Sequence, residues 1–154
     1  MERISEHITY KEATYSETAK RHGLFNVPNE SQVARMKLTA TKVFEPLRNH
    51  FDTPIFVSSF FRSAELNIAL SGGKNSQHMC GEAMDLDADK YDIIENKDIF
   101  NYIKDHLEFD QLIWEFGDVI NPDWVHVSYS ANNRKEILVS SSDEEGNTFY
   151  KKFN

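Results

Sequence analysis

Two histidines and one aspartate stand in sequence contexts that favour metal binding. His78 lies seven residues before Asp85 in the segment SQHMCGEAMDLD, with a glycine between them. Asp85 lies between Met84 and Leu86, in the alternating pattern that is typical of a strand. Burying a carboxylate among apolar residues is costly unless a positive group meets it. The pattern therefore predicts that Asp85 faces a cation.

A second alternating segment, DWVHVSY, carries the next histidine of interest. Trp124, His126 and Ser128 share one face of this predicted strand, and the two valines share the other. If this strand lies beside the Asp85 strand, His126 and Asp85 project from the same face. Two imidazoles and one carboxylate leave a fourth tetrahedral position for water, which is the open arrangement of a catalytic zinc site.

The segment SSFFRSAELN predicts a strand that leads into a helix, with Arg62 at the junction. A guanidinium there can hold a substrate carboxylate through two parallel hydrogen bonds or stabilise an oxyanion. The remaining four histidines fit simpler interpretations, at helix ends, on the surface or in a mobile N-terminus: His22, His50, His106 and His7.

Helical patterns dominate the first third of the chain. Thr9 and Glu12 predict a capping box for an opening helix that ends at Gly23. Apolar residues then recur at helical spacing over 31–51, and Pro46 inside this pattern predicts a kink or a second segment.

Strand patterns dominate the rest of the chain. The predicted strands cover 55–59, 82–88, 109–115 and 124–129, and further helices cover 62–70 and 96–106. The tail predicts a hairpin at about 135–153 around Asp-Glu-Glu-Gly-Asn. This order of elements predicts an α+β fold, with helices packed on a small antiparallel sheet in one domain over 1–154.

Composition narrows the classes of function. The 154 residues carry a formal charge of −8, which argues against generic binding to nucleic acid or to anionic membranes. Cys80 is the only cysteine, so no intramolecular disulfide forms. The first residues lack the apolar segment of a signal peptide, and we expect a protein that is cytoplasmic as synthesised. No pattern in the sequence indicates an oligomeric state.

Four motifs in order, FFRSAELN, SQHMCGEAMDLD, FDQLIWEFG and DWVHVSY, resemble the zinc D,D-peptidases. This group includes D-Ala-D-Ala carboxypeptidases, vancomycin-resistance D-Ala-D-Ala dipeptidases and phage endolysins with L-Ala-D-Glu endopeptidase activity. The resemblance covers about residues 10–129. It implies a hedgehog-like α+β domain whose antiparallel sheet cradles the metal. It also implies one Zn²⁺ per chain, bound by His78, Asp85 and His126.

The resemblance further implies roles for residues around the metal. Arg62 aligns with the arginine that binds the substrate's carboxylate or polarises its carbonyl, and Ser76 and Gln77 are expected to bind substrate by hydrogen bonds. Asp123 lies three residues before the last ligand, where the family has an acidic general base. Glu115 ends a neighbouring predicted strand and is a rival for that role, although the position of Asp123 favours Asp123.

The function implied by the resemblance is zinc-dependent hydrolysis of a peptide bond in peptidoglycan or its precursors, of the D,D-carboxypeptidase or endopeptidase type. One departure is Phe60-Phe61, where related sequences have Gly-Tyr, and this predicts an altered pocket beside Arg62. The missing signal sequence suits a phage or prophage product that is released at lysis or carried on the virion, and equally an enzyme of cytoplasmic precursors. The alternative is an inactive zinc-binding module that binds cell-wall peptide or a protein partner.

Overall fold

Helices and strands are described for residues 2–154 in this computed structural model. The helices are α1 (Tyr10–Thr14), α2 (Glu17–His22), α3 (Glu30–Thr39), α4 (Glu45–Phe51), α5 (Ala64–Ala69) and α6 (Asn96–His106). The strands are β1 (Arg3–Ser5), β2 (Ile8–Thr9), β3 (Phe56–Ser59), β4 (Ala83–Asp87), β5 (Gln111–Glu115), β6 (Trp124–Ser128), β7 (Glu136–Ser142) and β8 (Thr148–Lys152). A π-helical segment spans Ala40–Phe44, and short 3₁₀ turns span Gln77–Cys80 and Asp89–Tyr91.

The opening helical region contains two helices where the sequence predicts one. The predicted capping box is confirmed, since Thr9 Oγ1 accepts from the Glu12 amide at 3.1 Å and the Glu12 carboxylate accepts from the Thr9 amide at 2.8 Å. The prediction of one continuous helix is wrong because Ser16 Oγ accepts from the Ala19 amide at 3.1 Å and begins α2. Gly23 ends α2 in the left-handed conformation, at φ 63°.

The N-terminal residues form structure, so the prediction of a mobile terminus around His7 is wrong. β1 and β2 pair antiparallel, with His7 in the turn between them. The His7 imidazole lies 2.6 Å from the Glu45 carboxylate, and Ser5 Oγ donates to the same carboxylate at 2.6 Å. These contacts tie the terminus to the first turn of α4.

The predicted break near Pro46 is confirmed, and it takes the form of the π-helical segment. The Glu45 amide donates to the carbonyl of Ala40, five residues earlier. Pro46 follows in the first turn of α4 and has no amide to donate, so the helical bonding changes at this point. The wider turn keeps Val43, Phe44 and Leu47 buried in the core.

The main sheet has six strands in the order β3-β4-β6-β5-β7-β8. All neighbouring pairs are antiparallel except β5 and β7, which run parallel. The predicted α+β class with a small, mainly antiparallel sheet is therefore confirmed. Paired residues share a face of the sheet. The register accordingly places polar side chains from five strands on one face: Asp85, His126, Glu115, Ser140 and Tyr150.

The opposite face of the sheet carries the hydrophobic core. Alternation along β4, β5 and β6 places these side chains on that face and buries them: Met84, Leu86, Leu112, Trp114, Val125 and Val127. They form one cluster with Ile99, Phe100 and Ile103 of α6 and with apolar residues of α3 and α4. Each buried side chain of this size contributes about 1.5–3 kcal/mol of transfer free energy. Within residues 2–154, no helix combines the length and the apolar character that crossing a bilayer requires.

Candidate metal centre

The side chains of His78, Asp85 and His126 meet on the polar face of the sheet. His78 Nε2 lies 3.3 Å from Asp85 Oδ2, and His126 Nδ1 lies 3.1 Å from Asp85 Oδ1. Asp85 and His126 are direct partners across β4 and β6, as the alternation of both segments predicts. One ligand atom from each residue lies within 4.8 Å of the other two, so a single metal ion can contact all three.

The turn before β4 places His78 over the sheet. Ser76 Oγ accepts from the His78 amide at 3.3 Å and begins the 3₁₀ turn, which Gly81 ends at φ 78°. A Cβ at Gly81 would lie 2.6 Å from the carbonyl oxygen of Gln32 on α3. Glycine is therefore required at this position both by the backbone conformation and by the close approach of α3.

A backbone contact determines the tautomer of His78. Its Nδ1 lies 2.7 Å from the carbonyl oxygen of Phe60, which can only accept, so Nδ1 carries the proton. Nε2 then faces a carboxylate oxygen of Asp85 at 3.3 Å, where either a proton or a metal ion can bridge the two atoms. Two imidazoles and a carboxylate are ligands that zinc takes, and a carbonyl behind the first histidine is the usual partner that orients it.

Asp85 is held in its ionised form. Burial by itself would raise the pKa of this carboxyl, which is 8% exposed. The positive charge and hydrogen bonds available from His78 and His126 outweigh burial and hold the pKa far below its usual range. Arg62 adds a hydrogen bond from Nη2 to Asp85 Oδ2 at 3.0 Å. A metal ligand must be deprotonated, and Asp85 meets this condition.

Arg62 lies at the predicted junction between β3 and α5. Its Nε donates to Ser59 Oγ at 3.0 Å, so two contacts orient the guanidinium beside the cluster. The next residue, Ser63, caps α5 by accepting from the Leu66 amide. The preceding pair, Phe60-Phe61, is buried, and its Phe60 carbonyl orients His78.

A cavity of about 550 Å³ opens in front of the three side chains. Ser76 and Gln77 lie in its wall, as does Arg62. The Gln77 amide donates to the buried Asp110 carboxylate at 2.9 Å, and Arg134 donates to the same carboxylate. In this structure Ser76 and Gln77 therefore shape the rim of the cavity, and their contact with substrate stays a prediction.

A family model described as Peptidase M15 matches residues 6–128. The chain belongs to this family. The match includes the three metal-binding candidates and Arg62, and it ends before β7. Membership agrees with the resemblance of the four motifs and supports a metallopeptidase. A search of curated proteins found no similar sequence.

The two candidates for the general base lie in different surroundings in this M15 family member. Glu115 is buried in the cavity wall, on the same face as His126. Asp123, which the sequence analysis favours, is exposed and lies outside that wall. Glu115 is therefore the candidate that lines the metal cavity in this structure, and the choice between the two bases stays a prediction.

The surroundings of Glu115 raise the pKa of its carboxyl. Burial is the largest cause, and the Ser140 hydrogen bond and the charges of His126 and Arg62 oppose it only in part. Ser140 Oγ donates to Glu115 Oε2. A carboxyl with a raised pKa holds a proton more readily than an ordinary glutamate, as proton transfer in catalysis requires.

Sequence reasoning missed two polar residues near the metal cluster, Ser140 and Tyr150. They are partners across β7 and β8, in the hairpin that follows the family match. Ser140 contacts Glu115, and Tyr150 lines the cavity. Burial and the charges of Glu115 and Asp85 raise the pKa of the Tyr150 phenol, so it stays a hydrogen-bond donor at neutral pH. The hairpin itself is predicted, but its parallel pairing with β5 is not.

Proposed function

We propose that this chain is a zinc-dependent peptidase that hydrolyses a peptide bond in bacterial peptidoglycan or its precursors. The observation that carries the proposal is one cavity containing a three-residue metal cluster, a buried carboxylate with a raised pKa and an oriented arginine. Structural zinc sites use four protein ligands, whereas catalytic sites use three and leave one position open. The cluster of His78, Asp85 and His126 matches the catalytic pattern.

His78, Asp85 and His126 are the residues that would hold the zinc. When bound, zinc supplies Lewis acidity, which polarises a carbonyl group and makes water a better nucleophile. The chain prepares this site in advance: Phe60 orients His78, and Arg62 and both histidines keep Asp85 ionised.

Glu115 acts as the general base in this proposal. Ser140 occupies Oε2, so Oε1 is the oxygen that takes the proton of the attacking water. The same oxygen then delivers that proton to the leaving amine. Proton transfer of this kind accelerates reactions by about 10²–10⁴-fold and works best when the pKa of the carboxyl lies near the working pH. The raised pKa of Glu115 favours that match.

Arg62 orients the substrate. A guanidinium carries five N–H groups, and only two of those of Arg62 are bound, to Asp85 and Ser59. Arg62 lines the cavity, so its remaining N–H groups are close to a bound substrate. These donors can bind a substrate carboxylate or offset the charge of the tetrahedral oxyanion. Loss of one such donor typically costs about 10²–10³-fold in rate.

Peptidoglycan is proposed as the substrate because four ordered motifs resemble enzymes that act on it. The test incubates the zinc-loaded protein with purified peptidoglycan and with soluble stem peptides, and separates the products by chromatography and mass spectrometry. New peptide fragments that disappear in His126→Ala support the proposal, and their masses distinguish carboxypeptidase from endopeptidase cleavage. Full zinc loading without any cleavage would instead support a binding module.

A further inference from the structure

A second cavity, of about 780 Å³, adjoins the metal cavity. Arg62 and Leu70 line both, so the two cavities share a wall. The second cavity lies along β3, between that strand and the segment of α1 and α2. β3 is an edge strand, and within residues 2–154 its outer edge pairs with no other strand. We call this second cavity the β3 groove.

Basic side chains outnumber acidic ones in the lining of the β3 groove, four to two. Both acidic side chains are already occupied by hydrogen bonds. Glu12 accepts from the Thr9 amide at 2.8 Å and from Thr9 Oγ1 at 2.7 Å. Glu17 accepts from the Tyr15 hydroxyl. These bonds leave both carboxylates charged, and Arg62 is paired with Asp85, so the lining of the groove carries a small excess of positive charge in a protein whose formal charge is −8.

Three of the basic side chains are not neutralised by an acidic partner. Among the described residues, Lys11, Arg48 and Lys90 form no ion pair. Arg48 Nε is buried without a hydrogen-bond partner in that same set, and a buried unpaired donor is costly. Lys90 Nζ is held over the ring of Phe56 on β3, 3.4 Å from its centroid. The arrangement offers preorganised positive charge along the edge strand.

We propose that the β3 groove binds a carboxylate-bearing arm of an extended peptide substrate whose scissile bond lies in the metal cavity. This inference rests on the proposed function and names a region of the substrate that the metal site alone does not contact. Because Arg62 and Leu70 border both cavities, a peptide that passes along them contacts both. An extended peptide also matches an open strand edge. β3 has only four residues and a register shift, so it offers few regular backbone hydrogen bonds to a peptide. The basic side chains therefore supply most of the preference for a carboxylate-bearing peptide.

The test uses two synthetic peptides. One is N-acetyl-L-Ala-γ-D-Glu-L-Lys-D-Ala-D-Ala, and the other is the same peptide with both carboxylates converted to amides. Each is titrated into the zinc-loaded Glu115→Gln protein by calorimetry, which avoids turnover. We expect the carboxylate peptide to bind at least about tenfold more tightly. The double variant Lys11→Glu/Lys90→Glu, in the same background, is expected to reduce this preference at least about fivefold.

A matched control separates local binding from a change in net charge. Lys37→Glu/Lys42→Glu makes the same charge change at exposed positions outside the groove, and we expect it to leave the preference within about twofold. If charge reversal in the groove lowers the melting temperature, Lys11→Gln/Lys90→Gln tests the same point with smaller changes. Equal effects of the groove and control variants, or equal binding of both peptides, would overturn the inference. Cleavage by the wild-type protein is measured separately, so failure of the proposed function is distinguishable.

Discussion

Ser140 donates a hydrogen bond to the carboxylate of Glu115 across the parallel pair of β5 and β7. Ser140 lies outside the region of the family match, and Glu115 lies inside it. The C-terminal hairpin therefore contributes to the cavity in which the family residues meet. The Ser140 hydroxyl holds Glu115 Oε2 in place. The same hydrogen bond lowers the pKa of the Glu115 carboxyl, which burial raises.

Ser140→Ala tests this contact through the pH profile. The hydroxyl favours the ionised form of Glu115, so its loss raises the pKa of the carboxyl further. Less of the base is then ionised at a given pH, and the acidic limb of kcat/KM moves to higher pH. The kcat/KM at neutral pH is expected to fall by about tenfold, because the Glu115 carboxylate is also less well positioned. Ser141→Ala, one residue along β7 on the opposite face, is the control that should leave the acidic limb in place.

Glu115→Gln and Asp123→Asn separate the two candidate bases. Both changes keep the shape of the side chain and remove its charge. We expect Glu115→Gln to lower kcat by about 10²–10⁴-fold with full zinc content, because it removes the proton acceptor in the cavity. Asp123→Asn is expected to stay within about threefold, since its side chain is exposed outside the cavity. A large loss in Asp123→Asn with an active Glu115→Gln would reverse the assignment.

Gly81→Ala tests the turn that carries His78. The φ of 78° and the 2.6 Å approach of a Cβ to the Gln32 carbonyl predict a loss of about 1–3 kcal/mol in the free energy of unfolding. Gly73→Ala is the control, because a Cβ there meets no atom within 4 Å and the φ is not positive. Urea unfolding of both variants measures the difference. Equal stability of the two would show that the turn does not need glycine.

Asp110 gives stability a defined pH dependence. Burial raises the pKa of this carboxyl, but Arg134, its amide and Gln77 lower it more, so the folded value lies below the ordinary one. Its contribution is therefore present above about pH 4 and is lost as the pH falls through the folded pKa. Asp110→Asn is expected to lower the free energy of unfolding by about 1–3 kcal/mol at pH 7.

Urea unfolding at pH 7 and at about pH 2.5 measures this effect, and the deficit of Asp110→Asn should narrow at the lower pH, where the carboxyl is protonated. Asp105→Asn, at an exposed position on α6, is the control and should show no such trend. A deficit in Asp110→Asn that is constant across this range would contradict the assigned cause.

Alternation in two short segments predicted that Asp85 and His126 project together if their strands are neighbours, and the resemblance of the ordered motifs added His78 to the cluster. Asp85 and His126 each lie in a period-two pattern, and strand neighbours with matching parity must project together. The choice between Asp123 and Glu115 could not be made from the sequence, because it depends on where each carboxylate lies relative to the metal cluster.

Other features depend on contacts that no local pattern shows. The parallel pairing of β5 and β7 joins segments separated by a long connection, and only this pairing places Ser140 beside Glu115. The β3 groove likewise depends on how α1 and α2 lie against the edge strand. The division between α1 and α2 is local, and the cap at Ser16 could have predicted it.

Mass spectrometry of stem-peptide products tests the central claim most directly. The protein is assayed on purified muropeptides after loading with one equivalent of zinc, after removal of metal by a chelator, and as the zinc-loaded Glu115→Gln variant. Zinc-dependent peptide hydrolysis at this site predicts new cleavage products in the first sample and at least about 100-fold fewer in the other two. Equal product formation with and without metal, or full activity in Glu115→Gln, would contradict it.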